Sequence, residues 1–197
     1  MAIVGCSYLK YGVYSESQGV VSYSSGGTAA KLTSLDISLD SATDNYFYAD
    51  NGIDESDTQF GGGTLTVNTN DLTDAVSKAI LGLQDASLET ISGITDSSVK
   101  EIIYDDRQVT PFLGIGMVVK HIRGGTPAYT GIVLTKVMFK VPNDAAETQG
   151  KTISWQTPEL TANIFRDDST YHAWKKMATF TTESQAVLYI NARLGIT

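Results

Sequence analysis

Carboxylates are the residues of this chain whose number and spacing could do chemistry. Between Lys31 and Lys78 there is no Lys or Arg, yet Asp36, Asp40, Asp44, Asp50, Asp54, Glu55, Asp57, Asp71 and Asp74 all fall there. Such groups can hold a metal, trade protons with a substrate or charge a surface. The run from Asn51 to Asp57 gathers hard oxygen ligands but lacks the alternating spacing and closing Glu of a calcium loop, so no metal site is expected. Asp105 and Asp106 are adjacent acids without a nucleophile, a base or an oxyanion set around them. No enzymatic activity and no cofactor are expected. His121 and His172 are read as packing or surface residues, since no Ser or Cys motif accompanies them. Gly61, Gly62 and Gly63 do not follow a strand and open a helix, as a phosphate-cradling loop must.

The surface reading has a pattern behind it. Leu35, Ile37 and Leu39 alternate with Asp36, Ser38 and Asp40, which predicts a strand with one apolar and one acidic face. Leu65 and Val67 alternate with Thr64, Thr66 and Asn68, which predicts a second strand with a hydroxyl-rich face. If both belong to one sheet, the six polar residues share a wall.

Composition frames that wall. The chain has 197 residues, 42% hydrophobic and 18% charged, enough for one domain of sandwich type. Abundant Gly, Ser, Thr and Tyr lean towards an all-β fold. A net charge of −8 argues against a nucleic-acid binder, whose affinity for phosphate comes mainly from Lys and Arg. The charge is unevenly divided. Residues before Lys100 carry three basic groups against thirteen acidic ones, a balance of −10; Lys100 onward carries eleven against nine, a balance of +2. This fits either a solvated acidic surface or a subunit with one acidic face and another able to pair with it. Cys6 is the only cysteine, so no internal disulfide is possible, in keeping with a reducing cytoplasm. The first ten residues resemble no signal peptide, and no stretch is apolar enough to span a membrane as a helix.

The positioning elements follow in order. Residues 1–30 read as a Gly/Ser/Tyr-rich arm packing on a neighbour, or as an edge strand or loop. Strands are predicted over 31–40 and near Tyr46–Ala49, followed by the acidic loop 51–57. A helix over 71–82 should be capped by Asn70 or Asp71, carry Leu72, Val76, Ala79 and Ile80 on one stripe, and stop at Gly82. Residues 83–110 are poorly patterned, with 102–104 the best strand candidate. A long hairpin spans 111–141, turning at Gly124 and Gly125. Short strands are predicted at Thr152–Gln156 and Leu160–Phe165. A terminal helix over 182–195 opens on a Thr182–Gln185 capping box and buries Val187, Ile190 and Leu194. Trp155 and Trp174 read as core or interface anchors.

Several runs in this order resemble a known family. Tyr48-Ala49-Asp50-Asn51, Glu55-Ser56-Asp57, Gly63-Thr64-Leu65-Thr66 and Asp71-Leu72 are similar to runs of the major tail proteins of long-tailed siphophages that infect Gram-positive bacteria. So are Pro111–Gly116, Lys136–Phe139 before Pro142, and Gly150–Pro158. The resemblance spans about Leu9 to the terminal helix and is weakest in 15–30 and 83–108. It implies a mostly β fold, a two-sheet sandwich or barrel of the tail tube type with one or two flanking helices. It also implies a virion structural protein, made in the host cytoplasm, that forms stacked, hexameric rings. Its partners would be other copies of itself, the tape measure protein, and the tail terminator and distal tail proteins. DNA would pass through the lumen without specific binding, and no membrane is involved. On this reading Asp36, Ser38, Asp40, Thr64, Thr66 and Asn68 face the lumen, and the loop with Asp50, Asp54, Glu55 and Asp57 contacts other subunits. An exported β-sandwich adhesin or carbohydrate-binding module is the alternative.

Overall fold

A computed structural model describes residues 2–41, 45–49, 52–57, 60–86, 101–106, 108–143 and 157–196. The predicted strand Thr152–Gln156, with Trp155, lies outside them, as do Asp44 and Asp50. The fold is mostly β. Strands β1 (Ala2–Ser17), β2 (Val20–Ala30), β3 (Leu32–Ser41), β6 (Phe60–Thr69), β9 (Leu113–Arg123), β10 (Thr126–Phe139), β11 (Glu159–Phe165) and β12 (Lys175–Phe180) form one antiparallel sheet. Its order is β2-β1-β9-β10-β11-β6-β3, with β12 paired to β10 beside that path. Strands β4 (Asn45–Ala49) and β5 (Gly52–Asp57) make a separate two-stranded ribbon, as do β7 (Gln84–Ala86) and β8 (Glu101–Ile103). The helices are α1 (Asp74–Leu81) and α2 (Glu183–Arg193).

This sheet cannot be flat. Its first and last strands, β2 and β3, are consecutive in the chain and separated by Lys31 alone. In a flat sheet they would lie six strand spacings apart, roughly 29 Å at about 4.8 Å each, whereas one residue spans about 3.5 Å. One continuous stretch therefore leaves β1 and joins β6, and the sheet curls to bring its two ends together. Asn70 clamps the crossing: its N–H donates to the Lys31 carbonyl and its side-chain oxygen accepts from the Lys31 N–H, both at 3.0 Å.

Curling gives the sheet an inside. Leu9 from β1, Leu65 and Val67 from β6, Leu113, Ile115 and Met117 from β9, Leu134 from β10 and Leu160 from β11 are fully buried in one core. Ile80 and Leu81 of α1 belong to the same core. Strand β10 forks: residues Tyr129–Leu134 pair with β12, and Lys136–Phe139 pair with β11. Between them the β9–β10 register slips, a bulge at Thr135 and Lys136. Buried Thr135 has every polar group satisfied there. Its N–H donates to Trp174 O at 3.1 Å, its hydroxyl to Ala173 O at 2.6 Å, and its carbonyl accepts from the Tyr23 hydroxyl at 2.8 Å.

Several expectations change. Residues 2–30 are a hairpin of the sheet and not an arm: β1 lies between β2 and β9 with Leu9 buried, and only β2 is an edge. The first helix starts at Asp74 with Thr73 as its N-cap residue, because Asn70 is committed to Lys31. Residues 52–57 are the strand β5 and not a loop, since pairing with β4 outweighs the weak β propensity of an Asp/Glu/Ser run. Thr182 does precede α2, but its side chain makes no capping hydrogen bond, so the box is absent. Strand β12 was not foreseen. The long hairpin, β11, the buried Ile190 of α2 and the buried Leu194 at its C-cap stand as expected.

Candidate functional site

The six wall residues do come together. In the β3–β6 ladder Asp36 sits opposite Thr66 and Ser38 opposite Thr64, while Asn68 sits opposite Ser34 and donates to its hydroxyl at 2.7 Å. Leu35 and Ile37 turn to the core, as do Leu65 and Val67 on β6, so alternation sends the polar set to the outer side of the curl. Asp40 extends the row opposite Gly62. Leu39 departs from its set and is 46% exposed, because the strand end runs past the core.

Strand β11 widens the wall with residues not assigned from sequence. Glu159, Thr161 and Asn163 oppose Asn68, Thr66 and Thr64 and so face the same way. The signal was present, since Leu160, Ala162 and Ile164 alternate with them and are buried. The next strand changes the electrostatics. Lys136 and Met138 of β10 pair with Phe165 and Asn163, and the Lys140 N–H donates to Thr161 O. The wall is therefore polar with scattered acids, and two lysines flank it, Lys136 on β10 and Lys140 just past that strand's end.

Lys136 is tied to the boundary of the wall. Its ammonium sits 2.6 Å from Asp168 Oδ2 and lies over the rings of Phe112 and Tyr14. The Tyr14 hydroxyl donates to the same Asp168 oxygen at 2.8 Å. The hydrogen bond from Lys136, helped by that from Tyr14, holds the Asp168 carboxyl below the usual range. Desolvation pushes the Tyr14 phenol up to about 12, with Asp168 adding to it. Burial likewise raises the Tyr23 phenol, with the charge of Asp167 as the next cause. The neighbouring loop is braced from within. Asp167 is buried and accepts from the Ser169 N–H and hydroxyl, and the His172 ring contacts the Asp167 carbonyl.

At one end of the wall lies an open pocket of about 640 Å³, lined by Asp40, Phe60, Asn163, Phe165, Arg166 and the glycine run 61–63. Arg166 donates to the Phe60 carbonyl and stacks its guanidinium over the Phe60 ring. The Phe60 ring stacks face to face with Trp174, 4.6 Å between centroids, and Lys175 lies over Trp174. This column fixes the orientation of the guanidinium.

The other half of the sheet's outer side is covered by α2. Gly12 opposes Gly114, and Gly116 and Gly131 continue a floor beneath the helix. A Cβ on Gly114 would meet the Tyr23 ring at 2.4 Å and Leu194 at 2.8 Å; one on Gly116 would meet Leu194 at 2.9 Å. The helix is pinned at its ends by Ser7 donating to Glu183 and Lys10 donating to Asn191.

Of the predicted contact loop, Asp54, Glu55 and Asp57 lie on β5 in the ribbon. Among the described residues no group of three or more His, Cys, Asp or Glu is placed to hold a metal ion. Among them, too, no helix is long and apolar enough to cross a membrane. No protein-family model matches the chain, and no curated protein matches it.

Proposed function

We propose that this chain is a tail tube subunit of a long-tailed phage, a structural protein whose copies form rings that stack around a lumen. The observation that carries the reading is the wall. Three adjacent strands present Asp36, Ser38, Thr64, Thr66, Asn68, Glu159, Thr161 and Asn163 on one side, over a continuous apolar core on the other. A channel for DNA must be wetted without holding phosphate. Hydroxyls and amides wet it, and the carboxylates repel the backbone. Lys136, occupied by Asp168, offers little to a passing phosphate.

The edges of the sheet support the same reading. β3 is an edge strand of ten residues, and β2 one of eleven without a charged residue or a proline. An unprotected edge such as β2 invites pairing with other chains. The lumen assignment of the wall, the hexameric ring and the tail partners belong to this proposal. A carbohydrate-binding module is favoured less, because such sites offer a bare aromatic face. In the pocket, Phe60 is stacked against Trp174 and lies under the Arg166 guanidinium.

The experiment is electron microscopy of the purified chain over a concentration series, with sedimentation alongside. Rings or tubes of uniform diameter with a central channel are expected. A protein that stays monomeric at every concentration, with or without tail partners, overturns the proposal.

A further inference from the structure

We infer that the pocket beside Arg166 is a binding site for a small zwitterion, an α-amino acid or short peptide, whose carboxylate meets Arg166 and whose ammonium meets Asp40. The site follows from an interruption in one strand. Phe165 of β11 pairs with Lys136 and Lys175 of β12 pairs with Leu134, so along β10 the two strands are separated by Thr135 alone. They are halves of a single strand, and residues 166–174 leave the sheet between them. The break costs β6 a neighbour. The β6–β11 ladder ends at the Gly63–Ile164 pair, while β6 stays with β3 through Gly62 and Asp40. Gly62 makes that course possible with a φ of 142°, a conformation that side chains rarely adopt. The pocket is the opening left where β6 and β11 part.

Two opposite charges line the opening without closing on each other. Asp40 and Arg166 both border the volume of about 640 Å³, and neither forms an ion pair with a described residue. The guanidinium is held back: it donates to the Phe60 carbonyl and lies over the Phe60 ring, which stacks on Trp174. Its remaining donors form a pre-oriented fork for a carboxylate. Asp40 sits opposite Gly62 on β6, so no side chain stands across the ladder from it. A bare anion is repelled by Asp40 and a bare cation by Arg166. A ligand that carries both charges satisfies both groups, and the Asn163 amide can donate to one end or accept from the other. Gly61 and Gly62 keep the floor at main-chain level, and the volume suits a free amino acid or a peptide of a few residues. Occupancy of this site is independent of whether the chain assembles.

Titration of the full chain, followed by amide NMR below the concentration at which it associates, tests the site. The ligands are glycine, diglycine and triglycine, each beside its N-acetylated and its amidated form, which keep one charge apiece. At least one of the three zwitterions should bind with a Kd in the millimolar range or tighter and shift the signals of residues 61–63 and 163. The length that binds best reports the spacing of the two charged groups. Each one-charge form should bind at least about tenfold more weakly, the loss of one hydrogen-bonded charge contact. Arg166→Gln should erase the preference over the amidated form, and Asp40→Asn the preference over the N-acetylated form. Both positions are exposed, so both variants should keep the wild-type urea midpoint. A one-charge form or inorganic phosphate that binds as tightly as the zwitterion overturns the inference. So does the absence of any shift at these residues with all three zwitterions at about 10 mM, well above a millimolar Kd. Binding that survives both substitutions unchanged overturns it as well.

Discussion

The outer side of the curled sheet is one surface with two fates, divided at the Thr135–Lys136 bulge. On the β1/β9/β10 half the sheet is floored with glycine so that α2 can lie directly on the backbone. On the β3/β6/β11 half the outward positions are polar from Ser34 to Asp40, from Thr64 to Asn68 and from Glu159 to Asn163, and no helix among the described residues lies over them. The first half is specified by shape, where a single methyl group is felt. The second is specified by chemistry and leaves room for substitution within a class. A surface kept polar over three strands, next to one tailored to receive a helix, has a use for being bare.

The contrast is sharpest at the centre of the α2 contact. Leu194→Ala removes a fully buried side chain standing over Gly12, Gly114 and Gly116. It should cost about 2–5 kcal/mol in urea unfolding, the range for such truncations. Gly114→Ala should cost about 1–3 kcal/mol, because Tyr23 and Leu194 must both give way. Gly5→Ala, where an added Cβ meets nothing within 4 Å, should change stability by less than about 0.5 kcal/mol. Equal effects of the two alanines would erase the distinction.

At the boundary the expected effect is smaller and pH-dependent. The Asp168 carboxyl is held below its unfolded value by Lys136 and Tyr14. Its contribution is therefore present above the unfolded value of about 3.9 and lost as pH falls through the lower folded value. Asp168→Asn should lower stability at pH 7 by no more than about 1 kcal/mol, since the pair is half exposed, and should flatten the acid limb of the stability profile. An unchanged acid limb would show that the ion pair does not hold this seam.

The smallest effect on stability is expected on the wall. Asp36→Lys with Asp40→Lys should change the unfolding free energy by less than about 0.5 kcal/mol. Tubes should still form, but DNA should leave phage carrying them more slowly, and more so at low salt where screening is weak. Ejection at the normal rate in low salt would separate the bare wall from DNA passage. A large loss of stability would mean the wall is specified by shape after all.

The wall was legible in sequence and the floor was not, for a physical reason. A strand with one buried face writes its orientation as a period of two, so residues 35–40 and 64–68 declare their faces without a structure. Glycines 12, 114, 116 and 131 look like turn residues or flexible spacers until the helix they accommodate is in place. The Lys136, Tyr14 and Asp168 cluster comes from three distant stretches, and no local spacing announces it. Strand β12 was missed because Lys175-Lys176-Met177 has no apolar alternation. It is drawn into the sheet by the half of β10 that β11 leaves free. The crossing at Lys31 reads as strand continuing into strand; only the pairing partners show that the chain changes sides there.

The position of β1 inside the sheet sets a timetable for synthesis. One side of β1 can pair with β2 as soon as the first thirty residues exist, but its other side waits for β9, whose last residue is Arg123. At roughly 5–20 residues per second, the β1–β2 hairpin has an open inner edge for about 5–20 s while the chain between is made. Ile3 and Val4 lie on that waiting strand. The nascent chain thus passes through an interval, set by topology alone, in which an unpaired strand edge is open to other chains.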